Sequence, residues 1–167
     1  MIPDFLDTED PDDIYDRALG IDHVSNQPYR LRFRRTERII ERAGDETRVT
    51  YRTPVGSVSA TVVYTEQMRR DGLTLMQVTD KPVNSLDDYE VIAWIFEDLE
   101  VVRDGGRYED FQREVGDRGI AVAYAGACAG PVHQLLKELV AYDQFYFNLH
   151  DHPEVIERTA ERMEGYF

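Results

Sequence analysis

The chain holds one cysteine, Cys128, in 167 residues, so it can form no intrachain disulfide and no four-cysteine zinc module. Long apolar runs are also missing. The longest stretch without a formal charge, Gly119 to Leu136, is broken by three glycines, Pro131, His133 and Gln134, and no transmembrane segment is expected. The opening Met1-Ile2-Pro3-Asp4 lacks the basic and apolar regions of a signal peptide, which favours a cytoplasmic chain. Positive charge is scarce: 19 bases meet 33 acids, for a net charge of −14, and only Lys81 and Lys137 among the bases are lysines. That balance argues against general binding to nucleic acid or to an anionic membrane. What is present is globular, with 42% hydrophobic and 11% aromatic residues, and one domain is the expectation for this length.

Residues 1–29 read as an acidic leader and residues 30–167 as the folded part. Seven acids and no base occupy the first sixteen positions, and Pro11 after Asp10 suits the start of a short helix over 12–19. From Arg30 to Arg42, six arginines meet only Glu37 and Glu41, which reads as a strand edge running into a helix. Arginine forks suit phosphate or carboxylate, while the plainer reading pairs them with the chain's many acids. Polar and β-branched residues then alternate on both sides of Pro54-Val55-Gly56, which predicts a β-hairpin folding Val49 and Tyr51 back onto Val58, Ala60 and Val62. A strand over 73–78 follows the Asp71-Gly72 turn signal.

Ser85-Leu86-Asp87-Asp88 has capping-box spacing, and the helix it opens places Leu86, Tyr89, Ile92, Ala93, Phe96 and Leu99 on one stripe. The acids around that stripe, Asp98 among them, read as solvated. A short helix through Tyr108, Phe111 and Val115 precedes Gly119–Gly126, a run apolar on both faces such as a parallel sheet covered on two sides requires. Pro131 opens a helix with Val132, Leu135, Leu136, Leu139 and Val140 at core spacing. Further helices are expected from Tyr142 to Leu149 and from His152-Pro153-Glu154 onward.

Chemistry is sought in the glycine-rich segment from Tyr124 to His133, because loops leaving the carboxyl ends of parallel strands line pockets. Tyr124, Gly126, Cys128 and His133 are the candidate substrate-binding residues. The spacing from Gly126 to Gly130 matches neither a Rossmann fingerprint nor a phosphate loop. Cys128 and His133 read either as ligands or nucleophile and base, or as a packed cysteine and a helix-start histidine. Two ligands make no metal site, and no catalytic residue is assigned. His150-Asp151-His152 reads as a turn before Pro153.

Three stretches taken in order resemble the uroporphyrinogen decarboxylase superfamily over about residues 50–160. They are Thr53-Pro54-Val55-Gly56-Ser57-Val58, Lys81-Pro82-Val83-Asn84-Ser85-Leu86-Asp87-Asp88-Tyr89, and Tyr124-Ala125-Gly126 through Pro131 together with His150-Asp151-His152-Pro153-Glu154-Val155. The superfamily contains the decarboxylases of haem synthesis and corrinoid-dependent methyltransferases, both built on a (β/α)8 barrel. A barrel of that kind needs about 250 residues. The resemblance therefore implies an α/β fold: the amino-terminal part of a TIM-like barrel, incomplete, with an added β-hairpin.

Residues 1–50 do not reproduce the decarboxylases' arginine-rich substrate motif, and Lys137 stands where those enzymes place a tyrosine. The Thr-Pro-x-Gly hairpin is more similar to the methyltransferase type. What the resemblance then implies is methyl transfer between a small-molecule substrate and a corrinoid protein. No cofactor is expected in this chain; zinc and the corrinoid partner would enter with the complete enzyme. A partial chain of this kind is expected to be inactive alone and either to self-associate or to meet a complementing carboxyl-terminal half. The alternatives are uroporphyrinogen decarboxylation in tetrapyrrole (haem) biosynthesis, and a non-catalytic anion-binding or assembly module using Arg32, Arg34 and Arg35.

Overall fold

A computed structural model describes residues 23–25, 28–73, 76–123 and 128–167. The leader helix expected at 12–19 lies outside them, as do Tyr124 and Gly126. In chain order the strands are β1 (His23–Ser25), β2 (Tyr29–Phe33), β3 (Glu37–Ala43), β4 (Glu46–Thr53), β5 (Gly56–Val63), β6 (Gln77–Asp80), β7 (Leu99–Arg103) and β8 (Ala121–Ala123). The helices are α1 (Glu66–Arg70), α2 (Asp88–Asp98), α3 (Gly105–Val115), α4 (Pro131–Gln134), α5 (Tyr142–Asp151) and α6 (Pro153–Met163). A π-helical turn over Leu135–Leu139 continues α4. Among the described residues no helix is long and apolar enough to cross a membrane.

The chain forms two compact units, one of Met1–Leu31 with Val101–Gly126 and one of Arg32–Glu100 with Ala127–Phe167. The second is built on the antiparallel sheet β3-β4-β5-β6. Two tight turns set its register. Gly44, at φ +60°, turns β3 into β4 so that Ala43 meets Glu46. Pro54-Val55 turns β4 into β5, Thr53 Oγ1 accepting the Val55 N–H at 3.2 Å and donating to the Gly56 carbonyl at 2.8 Å. Val49 then faces Ala60 and Tyr51 faces Val58, as the alternation predicts. The arginine run does not enter a helix: residues 37–43 are a strand, because Ile39 and Ile40 pair with Thr50 and Val49 across the Gly44 turn. Of the strand expected over 73–78, residues 77 and 78 belong to β6, and residues 74 and 75 lie outside the described residues.

Odd positions of β4 and even positions of β5 form the apolar face, and α2 closes on its turn-proximal end. Gly56 permits that approach: a Cβ there would stand 2.9 Å from Val91 Cγ2. The core joins Val58, Tyr89, Val91, Ile92 and Ile95 to Val83, Leu135, Val140, Phe145, Ile156 and Met163, with Tyr51 and Phe33 at its margin. On α2, Tyr89, Ile92 and Ala93 are buried as the stripe predicts and Val91 and Ile95 widen the buried face, while Leu86 falls ahead of the helix and is exposed. α6 packs along α2, where Arg162 bridges Glu90 and Glu97. The helix begins at Asp88, whose Oδ2 accepts the N–H groups of Asn84 and Ser85 at 2.9 and 2.8 Å.

In the first unit β1 and β8 pair in parallel over three residues. Tyr108 on α3 donates its hydroxyl to the Ala121 carbonyl at 2.8 Å. Here the expectation of an amino-terminal TIM-barrel portion fails. The apolar run around β8 is not covered on two sides, since Ile120 is 66% exposed and Val122 is 37% exposed. The hairpin is no addition to a parallel sheet but the middle of the largest sheet, and among the described residues no barrel closes. The physical reason is connectivity. Parallel neighbours need a crossover of a dozen or more residues, whereas β3, β4 and β5 are joined by two-residue turns that permit only antiparallel pairing.

Candidate functional site

The segment from Cys128 to Val140 carries the described half of the predicted site. Cys128 is half-buried with a free thiol. His133 lies on α4, exposed, and its Nδ1 accepts the Ala129 N–H at 3.3 Å, so its ring closes the loop back on itself. The expected helix after Pro131 holds α geometry for four residues and then widens into the π turn, which is too short to present a strong amino-terminal anion site. The extra residue per turn also changes which side chains face inward. Leu135 and Val140 are fully buried and Leu136 and Leu139 half-buried, but Val132 is 48% exposed.

The carboxyl end of this segment is held by residues far away in sequence. Val83 forms a parallel bridge with Val140, and its N–H donates to the Leu139 carbonyl at 3.1 Å. Lys81 Nζ donates to the carbonyls of Leu136, Lys137 and Val140 at 3.3, 2.8 and 2.9 Å and lies 4.8 Å from the centre of the Tyr142 ring. These are carbonyls a closing helix leaves open, and an ammonium with three donors suits them. Burial pushes the Lys81 ammonium below its ordinary value, and Glu138 opposes that shift. Beside this clasp, Asn148 on α5 donates to the Tyr89 hydroxyl at 3.0 Å and accepts from Gln144 at 2.8 Å. Burial raises the Tyr89 phenol against that hydrogen bond.

His150-Asp151-His152 is not a turn throughout: α5 runs on through His150 and Asp151, and His152 alone joins it to α6, its N–H donating to the Asn148 carbonyl at 2.8 Å and its carbonyl accepting from Val155 at 3.0 Å. Among the described residues no three of histidine, cysteine, aspartate and glutamate stand together as metal ligands.

Asp98 is the residue that sequence reasoning missed. Its sequence neighbourhood predicts one solvated acid among several on α2, yet it is 3% exposed. Its carboxylate accepts the Arg35 N–H at 3.1 and 2.9 Å and the Thr36 N–H at 2.7 Å, while its carbonyl accepts from Arg34 at 3.3 Å. Burial raises this carboxyl, but the Arg35 and Thr36 donors outweigh burial and hold it below its ordinary value. With its oxygens taken by main-chain donors, Asp98 is a clasp on the bend between β2 and β3 rather than an acid or base. The arginine run is sorted by the same acids. Arg30 pairs with Asp104 at 3.0 Å and Arg32 with Glu100 at 2.5 Å. Arg35 stands 3.7 Å from Asp98 and lies over Trp94 at 4.4 Å.

Comparison with known proteins adds no relative: no family model, no curated protein and no solved structure matches the chain.

Proposed function

We propose that the chain acts as a uroporphyrinogen-decarboxylase-like protein of the corrinoid-dependent methyltransferase type, with the segment from Tyr124 to His133 contacting a small-molecule substrate. The observation that supports the reading is that the described parts of its motif stretches, Thr53–Val58, Lys81–Tyr89, Cys128–Pro131 and His150–Val155, belong to one unit. The Thr53–Val58 turn lies against α2 through Gly56 and Val91, Lys81 and Val83 hold the 136–140 end of the segment that begins at Cys128, and the helix opened by Pro153 packs on α2. On the resemblance, methyl-transfer chemistry would be supplied by a corrinoid bound to its own carrier protein. This chain's share is to bind and orient the substrate at the loop that His133 closes.

The test uses the full chain with free methylcobalamin as the corrinoid probe and, separately, with uroporphyrinogen. The expected result is a saturable change in the methylcobalamin absorption spectrum, weakened by His133→Ala, and no coproporphyrinogen. Formation of coproporphyrinogen would make the chain a decarboxylase. A chain that leaves both compounds untouched is neither.

A further inference from the structure

We propose that the free edge of β3, between Arg38 and Arg42, adds an extended acidic segment of a partner protein as a further strand. This goes beyond the methyltransferase reading and does not depend on it. β3 is an outer strand of seven residues, paired among the described residues with β4 alone. A bare edge of that length is a template for another strand. Ala43 and Glu46 close a two-residue turn and so form a hydrogen-bonded pair; such pairs alternate along an antiparallel ladder. Glu37, Ile39 and Glu41 therefore spend their main-chain groups on β4, and Arg38, Ile40 and Arg42 turn theirs outward.

The same three residues place their side chains on the sheet's apolar face, opposite Tyr51, Val49 and Thr47. At this end of the face α2 gives no cover: Ile40 is 47% exposed, and Val78, aligned with Val62 on the far edge, is 43% exposed. Arg38 and Arg42 flank Ile40 with no acidic partner among the described residues, whereas Arg30, Arg32, Arg35 and Arg52 each have one. An incoming strand that satisfies the edge must set carboxylates beside the two guanidinium groups and an apolar side chain beside Ile40, because directly opposite residues share a face. The pattern is acid-x-apolar-x-acid.

A second copy of the chain does not meet that requirement. Antiparallel pairing of β3 with its own copy about a two-fold axis sets even positions against even and odd against odd. Centred on Ile40, it places Arg38 against Arg42; centred on Ile39, it places Glu37 against Glu41. Both registers bring like charges together across the strands, which is destabilising. The charges that block self-pairing are the ones that select an acidic partner.

The probe is a fluorescein-labelled Glu-Thr-Val-Thr-Glu peptide, followed by anisotropy against the full chain at low salt, with Lys-Thr-Val-Thr-Lys as its control. The acidic peptide should bind and the basic one should not, and added salt should weaken the complex. Arg38→Ala with Arg42→Ala should weaken binding by roughly tenfold or more at an unchanged thermal midpoint, because both side chains are exposed. Ile40→Pro, which removes an outward N–H at an edge position where proline is tolerated, should abolish it. The proposal is overturned by no acidic-peptide binding up to about 1 mM, by equal binding of both peptides, or by a double arginine variant that binds like the native chain.

Discussion

The two compact units hold together by different means. In the unit of residues 32–100 and 127–167, successive strands turn back on one another, expose one continuous apolar face, and receive α2 upon it, with α6 packed on α2. In the unit containing β1, α3 and β8, a three-residue parallel pair joins positions far apart in the chain, and Val115 is the one buried hydrophobic residue described there. Local pairing creates a face before anything has to travel to cover it. Distant pairing must first meet the entropy of closing a long loop, and here it secures three residues.

That contrast can be broken at the core. Leu135→Ala, at a fully buried position, should cost about 3 kcal/mol, whereas Val115→Ala should cost about 1–2 kcal/mol, both read by urea denaturation. The reverse order would undo the comparison. Asp98→Asn sharpens it by attacking the clasp on the β2–β3 bend, with an expected loss of about 2 kcal/mol at neutral pH. The sign with pH follows from the lowered carboxyl. The stabilisation is complete above the value of an unfolded aspartate, about 3.9, and disappears as pH falls through the lower folded value, so the native and variant curves should converge in acid.

Gly56→Ala tests whether α2 needs its close approach to the hairpin. With φ at +146° and Val91 Cγ2 2.9 Å from the added Cβ, a loss of about 1–2 kcal/mol is expected. The smallest effect is assigned to Arg162→Lys, which gives up the planar fork between Glu90 and Glu97 on a partly exposed surface for about 0.5–1 kcal/mol in thermal melts. The Arg162 hydrogen bond holds Glu97 below its ordinary value, so this loss too should shrink in acid.

What could be read in advance follows the same division. Thr53 to Gly56 carries its turn in its own residues, and α6 declares itself by Pro153 at its start and by Ile156 and Met163 on its inner side. Residues 37–43 misled because a run of arginine, glutamate and isoleucine has the composition of a helix; its strand state is imposed by pairing with residues beyond Gly44. Asp98 misled for a related reason. Nothing near it in sequence buries it, and its donors, Arg35 and Thr36, arrive from the other end of the unit. Of the candidate site, Tyr124 and Gly126 lie outside the described residues, and the partner of His133 was not legible because a main-chain N–H four residues back carries no mark in the sequence. Lys81 gave one signal: one of two lysines in an arginine-rich chain marks a place where a compact ammonium, not a fork, is wanted.

The π turn over Leu135–Leu139 has a bearing on how this segment tolerates insertions and deletions. Excising one residue there would leave an ordinary α-helix, sound by every local rule, yet each later side chain would swing by about 100° around the axis. Val140 would part from Val83, and Lys81 would face the wrong carbonyls. Residue number, more than residue type, is thus under constraint between Pro131 and Val140, and homologues should conserve its length even where they vary its letters.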